Sequence, residues 1–170
     1  MDLKKLVRDI KDFPKEGIVF KDITTILKDP EGLCSSIEQM QASLAGLEFD
    51  YIVGPESRGF IYGVPLAYNM RKGFLPVRKE GKLPYRTKSK SYTLEYGTAT
   101  IEMHEDAISP GDRVVIVDDL LATGGTSRAM VELIEEMGGT VEKLVYLIEL
   151  EFLEGRSILE GYAVDAVMKY

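Results

Sequence analysis

The segment from Val114 to Thr126 constrains the fold of this 170-residue chain more than any other. Four consecutive β-branched residues, VVIV at 114–117, predict a strand that is buried on both faces. Two acids and the sequence LLATGGT follow, and then an apolar helical stripe formed by Met130, Leu133, Ile134 and Met137. In open α/β sheets, ligands bind beyond the carboxyl ends of the strands, which is where this loop must lie.

The loop has the features of a phosphate cradle. Gly124 and Gly125 are expected to allow positive φ and a close backbone approach, so that successive N–H groups point into one concavity. Thr123, Thr126 and Ser127 add hydroxyl donors, and the following helix presents its positive N-terminus. The chain lacks both GxxxxGK[ST] and GxGxxG, which argues against an ATPase or a dinucleotide-binding function.

Asp118 and Asp119 stand at the end of the predicted strand. Consecutive side chains on a strand point to opposite faces, so we do not expect the two carboxylates to act as one acid–base pair. Ribose hydroxyls, or water bound to a Mg²⁺ ion, suit them better.

The remaining apolar patterns alternate between strands and helices. Further strands are predicted at 51–53, 74–77, 92–103, 144–150 and 164–168. Further helices are predicted at 3–10, 33–47 and 57–71, and Pro65 should kink or shorten the last of these. This alternation predicts an α/β fold with a mostly parallel sheet, in a single domain that spans residues 1–170.

Charge narrows the functional classes. The chain has a net charge of −7, yet residues 78–92 carry a net +5, so the remainder carries −12. This balance argues against nucleic acid or an anionic membrane as partner. The single Cys34 excludes an internal disulfide, no apolar run approaches the ~18 residues of a membrane span, and the N-terminus does not read as a signal peptide. We therefore expect a cytoplasmic protein.

The sequence VVIVDDLLATGGT resembles the phosphoribosyl-pyrophosphate (PRPP) signature of the type I phosphoribosyltransferases. Four other segments resemble the adenine-specific members of that family in the same order, namely FPKEGIVFKDITTILKDP at 13–30, GPESRGF at 54–60, VRKEGKLP at 77–84 and YTLEYG at 92–97. The resemblance implies a type I phosphoribosyltransferase-like fold, with a central, mostly parallel sheet flanked by helices. It also implies a small N-terminal hood at about 1–35, a flexible lid at about 78–93, and a homodimer.

The implied reaction joins adenine to PRPP, with Mg²⁺, and yields AMP and pyrophosphate. The 5′-phosphate would be held by Ala122, Thr123, Gly124, Gly125 and Thr126, and the ribose by Asp118 and Asp119. Pyrophosphate would meet Glu56, Ser57 and Arg58, together with Arg78, Lys79 and Lys82 of the lid. No protein side chain is expected to bind Mg²⁺ directly, because PRPP and water would hold the ion.

Two further roles follow from the resemblance. Glu95 would be the general acid/base, close to the imidazole side of the purine. Val19, Phe20 and Lys21 would bind adenine, with a backbone carbonyl accepting from the 6-amino group and Phe20 stacking on the ring. A 6-oxopurine would leave such a site with unpaired groups, which favours adenine.

Two alternatives remain open at this point. One is a phosphoribosyltransferase for another purine base, such as guanine or xanthine. The other is a regulator on the same fold that binds PRPP or purines without catalysis. Outside the site, we expect Lys88 and Lys90 to be solvated, His104 to lie on the surface near a turn, and Cys34 to sit on a helix face.

Overall fold

The computed structural model describes residues 1–94 and 97–170. Its strands are β1 (Arg8–Lys11), β2 (Val19–Asp22), β3 (Tyr51–Pro55), β4 (Gly73–Lys79), β5 (Thr87–Leu94), β6 (Gly97–His104), β7 (Arg113–Leu121), β8 (Thr140–Glu149) and β9 (Val164–Lys169). Its α-helices are α1 (Thr24–Lys28), α2 (Pro30–Ala42), α3 (Arg58–Met70) and α4 (Gly125–Glu136). Short 3₁₀ turns occupy Leu3–Lys5, Glu151–Leu153 and Gly155–Leu159.

Seven strands form one sheet in the order β5-β6-β4-β3-β7-β8-β9. Five neighbouring strands, β4, β3, β7, β8 and β9, are parallel. The β5–β6 hairpin pairs with the free edge of β4 in antiparallel orientation. The prediction of a mostly parallel α/β sheet is therefore confirmed. Since β3 and β7 are parallel neighbours, the segments that follow them emerge at the same edge of the sheet.

The four residues of the VVIV run are fully buried, because helices cover both faces of the sheet at β7. Val114 and Ile116 pack on the side of α4, whereas Val115 and Val117 pack on the side of α3. Each buried valine or isoleucine contributes about 1.5–3 kcal/mol to folding. The strand runs on to Leu121, past its predicted end, because β8 pairs with it as far as Leu121–Glu149.

The predicted N-terminal helix is wrong. Only Leu3–Lys5 forms a 3₁₀ turn, and the chain then enters β1, which pairs with β2 in a two-stranded hairpin. The Arg8 guanidinium donates to Asp22 Oδ2 from Nε at 2.9 Å, and Asp22 Oδ1 accepts from the Thr24 N–H at 2.9 Å. These hydrogen bonds, with that of the Thr24 backbone first, lower the pKa of Asp22 to about 2. Long-range pairing to β2 thus outweighs the helical spacing of the leucines.

Helix α3 is not shortened at Pro65, which lies inside it. Proline has no N–H for the carbonyl four residues earlier, that of Ile61. The helix ends where Arg71 adopts a left-handed conformation. None of the helices in the described part of the chain is long and apolar enough to cross a membrane.

Only part of the basic segment forms a loop. Arg78 and Lys79 complete β4, residues 80–86 form the connection, and β5 begins at Thr87, five residues earlier than predicted. Lys90 keeps only part of the predicted solvation, since its ammonium lies 2.5 Å from Glu136 Oε1 and 3.2 Å from Glu132 Oε2 on α4. Pairing with β6 and with α4 therefore orders the second half of the predicted lid.

Lys88 is exposed, as expected. His104 ends β6, where its Nε2 accepts from the backbone N–H of Tyr85 at 3.4 Å. Cys34 is exposed on α2. We find no part for these three side chains in the site described below.

Candidate active site

A cleft of about 660 Å³ opens beyond the carboxyl end of β7. Its floor is the segment 118–127, which runs from the end of β7 into the first turn of α4. Arg58, at the start of α3, forms one wall, and Tyr92, Thr93 and Leu94 of β5 form another. The structure therefore brings together Arg58 and the seven residues predicted to hold phosphate and ribose.

The turn into α4 depends on one glycine of the pair. Gly124 has φ +87° and caps the helix, whereas Gly125 is already its first helical residue, so the expectation of positive φ holds only for Gly124. A Cβ on Gly124 would lie 2.7 Å from the carbonyl oxygen of Gly155. A Cβ on Gly125 would make an ordinary contact, 3.4 Å from Tyr92 Cδ2.

Gly155 was not among the predicted site residues. It begins the 3₁₀ turn Gly155–Leu159 and packs so closely on the loop that a Cβ would lie 2.4 Å from the Ala122 carbonyl oxygen. Arg156 secures this turn by donating to Glu149 Oε1 at 2.6 Å and Glu149 Oε2 at 2.8 Å. Nothing near Gly155 in the sequence suggests a contact with residues thirty positions earlier.

The two acids at the site lie inside β7 rather than after it. Asp119 is buried, and its Oδ2 is 3.0 Å from Arg58 Nε, while Asp118 Oδ1 accepts from the Asp119 N–H at 2.8 Å. Burial, and next the negative charge of Asp119, raise the pKa of Asp118 well above its usual range. The carboxylates are therefore electrostatically coupled, although they make different contacts.

Arg58 connects the loop to the hood. While its Nε meets Asp119, its guanidinium carbon lies 5.7 Å from the centre of the Phe20 ring on β2. The side chain is 43% exposed, which leaves its terminal nitrogens available to an anion in the cleft. One arginine thus contacts both the predicted ribose acid and the predicted adenine stacker.

Glu56 holds the end of β4. Its Oε1 accepts from the Lys79 backbone N–H at 2.8 Å and from Arg78 Nε at 3.2 Å. The Lys79 N–H in particular lowers the pKa of Glu56. Within the described residues, the lining of the cleft includes neither Glu56 nor Ser57, nor the predicted lid contacts Arg78, Lys79 and Lys82.

The predicted adenine residues form β2. Val19 is 45% exposed, and the Phe20 ring meets that of Phe13 edge-on at 5.2 Å between centroids. Lys21 directs its ammonium to Asp9 Oδ1 at 2.7 Å, so its side chain holds the hood together. The predicted acid/base, Glu95, lies outside the described residues.

Tyr92 is a site residue that the sequence reasoning missed. Its hydroxyl lies 2.9 Å from Thr126 Oγ1, directly over the loop. The ion pairs of Lys90 with α4 hold β5 in this place. A further hydrogen bond, from the Tyr146 hydroxyl to Ser127 Oγ at 2.6 Å, fixes the first turn of α4 from below. Lys90 and Tyr92 are two positions apart, so the two-residue period of a strand could have indicated that both side chains face α4.

Comparison with known proteins identifies the family. The family model "Phosphoribosyl transferase domain" matches residues 21–156. The chain belongs to the phosphoribosyltransferases. This family membership confirms the resemblance that the sequence showed at 114–126.

Individual phosphoribosyltransferases match over the full length. The chain is 61% identical over 168 residues to the adenine phosphoribosyltransferase of Lachnoclostridium phytofermentans, covering 99% of this chain and 97% of that protein. The crystal structure of the enzyme of that name from Thermoanaerobacter pseudethanolicus superposes with a TM-score of 0.97 at 53% identity, covering 99% and 98% of the two chains. The Saccharomyces cerevisiae enzyme, crystallised with adenine and an imino-altritol bisphosphate, gives 0.92 at 38% identity, covering 98% and 96%.

The close contact at Gly124 predicts that a side chain at this position destabilises this phosphoribosyltransferase. Gly124→Ala should lower the free energy of unfolding by about 1–3 kcal/mol, because the new Cβ meets a backbone carbonyl and the residue needs positive φ. Gly125→Ala is the matched control and should leave the free energy unchanged or raise it slightly. Denaturant unfolding would measure both, and equal losses in the two variants would contradict this account of the turn.

Proposed function

We propose that this protein transfers the 5-phosphoribosyl group of PRPP to nitrogen-9 of adenine, forming AMP and releasing pyrophosphate. The observation that carries the proposal is the Asp119–Arg58–Phe20 connection. It joins a phosphate-sized loop to an aromatic hood residue, as a reaction between a sugar phosphate and a flat base requires. Full-length identity of 61% to an adenine phosphoribosyltransferase supports adenine as the base.

The loop residues Ala122, Thr123, Gly124, Gly125 and Thr126 would bind the 5′-phosphate. The first turn of α4 directs unpaired N–H groups at the anion, and the hydroxyls of Thr123 and Thr126 add donors. The hydroxyl of Tyr92 is close enough to Thr126 to join them.

Asp118 and Asp119 would hold the ribose hydroxyls. Departure of pyrophosphate leaves positive character on the anomeric carbon and ring oxygen, and the carboxylate of Asp119 would stabilise that charge. Asp119 Oδ2 lies 3.0 Å from Arg58 Nε, while the raised pKa of Asp118 allows its carboxyl to accept or donate a hydrogen bond. The pair can therefore serve both hydroxyls of the diol.

Pyrophosphate would lie between Arg58 and the basic connection at 80–86. Glu56 orients Arg78 and the Lys79 backbone at the edge of this space, and Ser57 precedes Arg58 at the start of α3. Lys82 is exposed on the connection and is free to approach when the lid closes. Closure would exclude water, which would otherwise hydrolyse PRPP.

Magnesium fits this arrangement as an ion bound chiefly by the substrate. The described residues contain no group of three or more His, Cys, Asp or Glu side chains placed to hold a metal. Substrate phosphates and water would complete the shell of Mg²⁺, and Asp118 and Asp119 would hold water on the ion rather than the ion itself. When bound, the ion would neutralise charge on the departing pyrophosphate.

The hood would provide the base site. The backbone of Val19, Phe20 and Lys21 is extended, and Phe20 presents an aromatic ring next to Arg58. The acid/base would be Glu95, which follows directly after Leu94, a residue that lines the cleft. A guanine or xanthine enzyme and a non-catalytic regulator are the alternatives, and the names of the matched relatives favour neither.

A homodimer forms part of the proposal. Ile61, Val64 and Tyr68 leave an apolar stripe exposed along α3, at the i, i+3, i+7 spacing of one helix face. A second copy of the chain could cover it.

We also propose a cytoplasmic location. The lone, exposed Cys34 supports it, because the chain has no second cysteine with which to form a disulfide.

The substrate assignment predicts AMP formation from adenine, PRPP and Mg²⁺ by the purified protein. The value of kcat/KM for adenine should exceed that for guanine or xanthine by at least about a hundredfold, because a 6-oxo group leaves buried groups unpaired. Product formation is measured by liquid chromatography. Turnover of guanine in place of adenine would overturn the assignment.

The acid/base assignment predicts that Glu95→Gln lowers kcat by about a hundredfold or more. Affinity for PRPP should stay within about twofold, because a proton-transfer group is not needed for binding phosphate. Glu105→Gln, which alters a glutamate after the end of the same hairpin, is the control. Steady-state rates and calorimetry measure the two effects, and an unchanged kcat would remove Glu95 from the mechanism.

The dimer assignment predicts that the protein sediments with the mass of two chains. The Val64→Glu variant should sediment with the mass of one chain. A charge at the centre of the α3 stripe is costly to bury. Phe152→Glu, at an apolar side chain that is 71% exposed elsewhere, should leave the mass unchanged. Analytical ultracentrifugation decides, and a monomeric wild-type protein would be inconsistent with the assignment.

A further inference from the structure

Tyr170 is fixed at the junction of the sheet and the hood. It follows β9, and its backbone N–H donates to the Glu149 carbonyl at 3.0 Å while its carbonyl accepts from the Glu151 N–H at 2.8 Å. Its ring packs, partly buried, against the core on the α2 and α3 side of the sheet. Backbone hydrogen bonds on both sides therefore hold the ring in one place.

Two lysine ammonium groups lie against this ring. Lys21 Nζ, from β2, is 4.2 Å from the ring centre, and Lys4 Nζ, from the 3₁₀ turn Leu3–Lys5, is 4.9 Å from it. The Lys21 side chain is only 14% exposed and also pairs with Asp9, whereas Lys4 is exposed. A cation on an aromatic face gains more when it is shielded from water, so the contact with Lys21 is the stronger one.

Strand β2 needs such support. It has four residues and pairs with β1 in a two-stranded sheet, and hairpins of this kind are marginally stable by themselves. Asp22 is secured at the carboxyl end of β2 by Arg8 and Thr24. Val19, at the other end, is 45% exposed, so the middle of the strand is attached to the rest of the molecule by Lys21 at Tyr170 and by Phe20 at Arg58.

We propose that Tyr170 is a positioning residue for the base: by holding Lys21, its ring sets the placement of the β2 backbone and of Phe20 against adenine. This inference rests on the proposed function, since it assumes that β2 binds the base. Tyr170 is not among the described residues that line the cleft. Its effect should appear in adenine binding and hardly in PRPP binding, because the phosphate loop has its own supports at Gly155 and Tyr146.

The aromatic face, rather than the hydroxyl, provides this support. The Tyr170 hydroxyl is buried and has no hydrogen-bond partner among the described residues. Removing an unpaired buried hydroxyl costs nothing in hydrogen bonding. Phenylalanine should therefore replace Tyr170 without loss, whereas leucine keeps the apolar volume but loses the face that attracts the cation.

The experiment measures kcat and KM for both substrates in four variants. Tyr170→Leu and Lys21→Met should raise the KM for adenine about three- to thirtyfold, the range from an exposed to a shielded cation–aromatic contact, with the KM for PRPP within about twofold. Tyr170→Phe should behave as wild type. Lys4→Met is the matched control, since it removes a lysine from the same ring but not from β2, and it should leave the KM for adenine unchanged.

Amide hydrogen exchange at residues 19–21 gives a second readout that needs no activity. Tyr170→Leu and Lys21→Met should exchange faster there than Tyr170→Phe. An unchanged exchange rate, or an adenine KM in Lys4→Met raised as much as in Lys21→Met, would overturn the positioning role. If exchange changes as expected but the wild-type protein forms no AMP from adenine, the proposed function fails and the inference about adenine fails with it.

Discussion

The ion pair between Arg58 and Asp119 is the contact on which the site depends. A carboxylate buried at the end of a central strand needs an opposite charge, because removing it from water unpaired would cost several kcal/mol. Arg58 provides that charge from the start of α3, and the same guanidinium meets Phe20 of the hood. One side chain thus joins the end of β7, the start of α3 and the hood. The pKa of Asp118 depends on the same two residues, because the charge of Asp119 raises it and that of Arg58 lowers it.

The local sequence was sufficient to predict the structure of segments whose conformation depends mainly on residues close to them along the chain. The VVIV run, the acids and the glycines predicted a buried strand, a tight turn and a helix, and all three are present, whereas phosphate binding by the turn stays a prediction. Prediction failed where the structure of a segment depends on contacts with residues far away in the sequence. Leu3 and Leu6 have helical spacing, but Arg8 lies in a strand, where it donates a hydrogen bond to Asp22. Lys90 pairs with two glutamates more than forty residues away in the sequence. Tyr92 and Gly155 were missed for the same reason.

The charge pattern takes on a different meaning in three dimensions. The segment 78–92 carries +5 in an otherwise acidic chain, and the resemblance implied a flexible lid at about 78–93. Part of this charge is already neutralised within the protein, by Glu56 at Arg78, by Glu105 at Arg86, and by Glu132 and Glu136 at Lys90. These pairs divide the segment into an anchored strand and a short connection, 80–86, that carries Lys82. The anchored part keeps the Tyr92 hydroxyl 2.9 Å from Thr126 Oγ1.

The contact between Gly124 and Gly155 limits how this loop can be altered. Each glycine leaves no room for a side chain, because a backbone carbonyl of the opposing segment occupies that space. A larger residue on one side cannot be offset by a smaller one on the other, since glycine is already the smallest. Any redesign of the anion specificity of this loop would therefore have to rebuild both segments together, with the Arg156–Glu149 pair that holds the second of them.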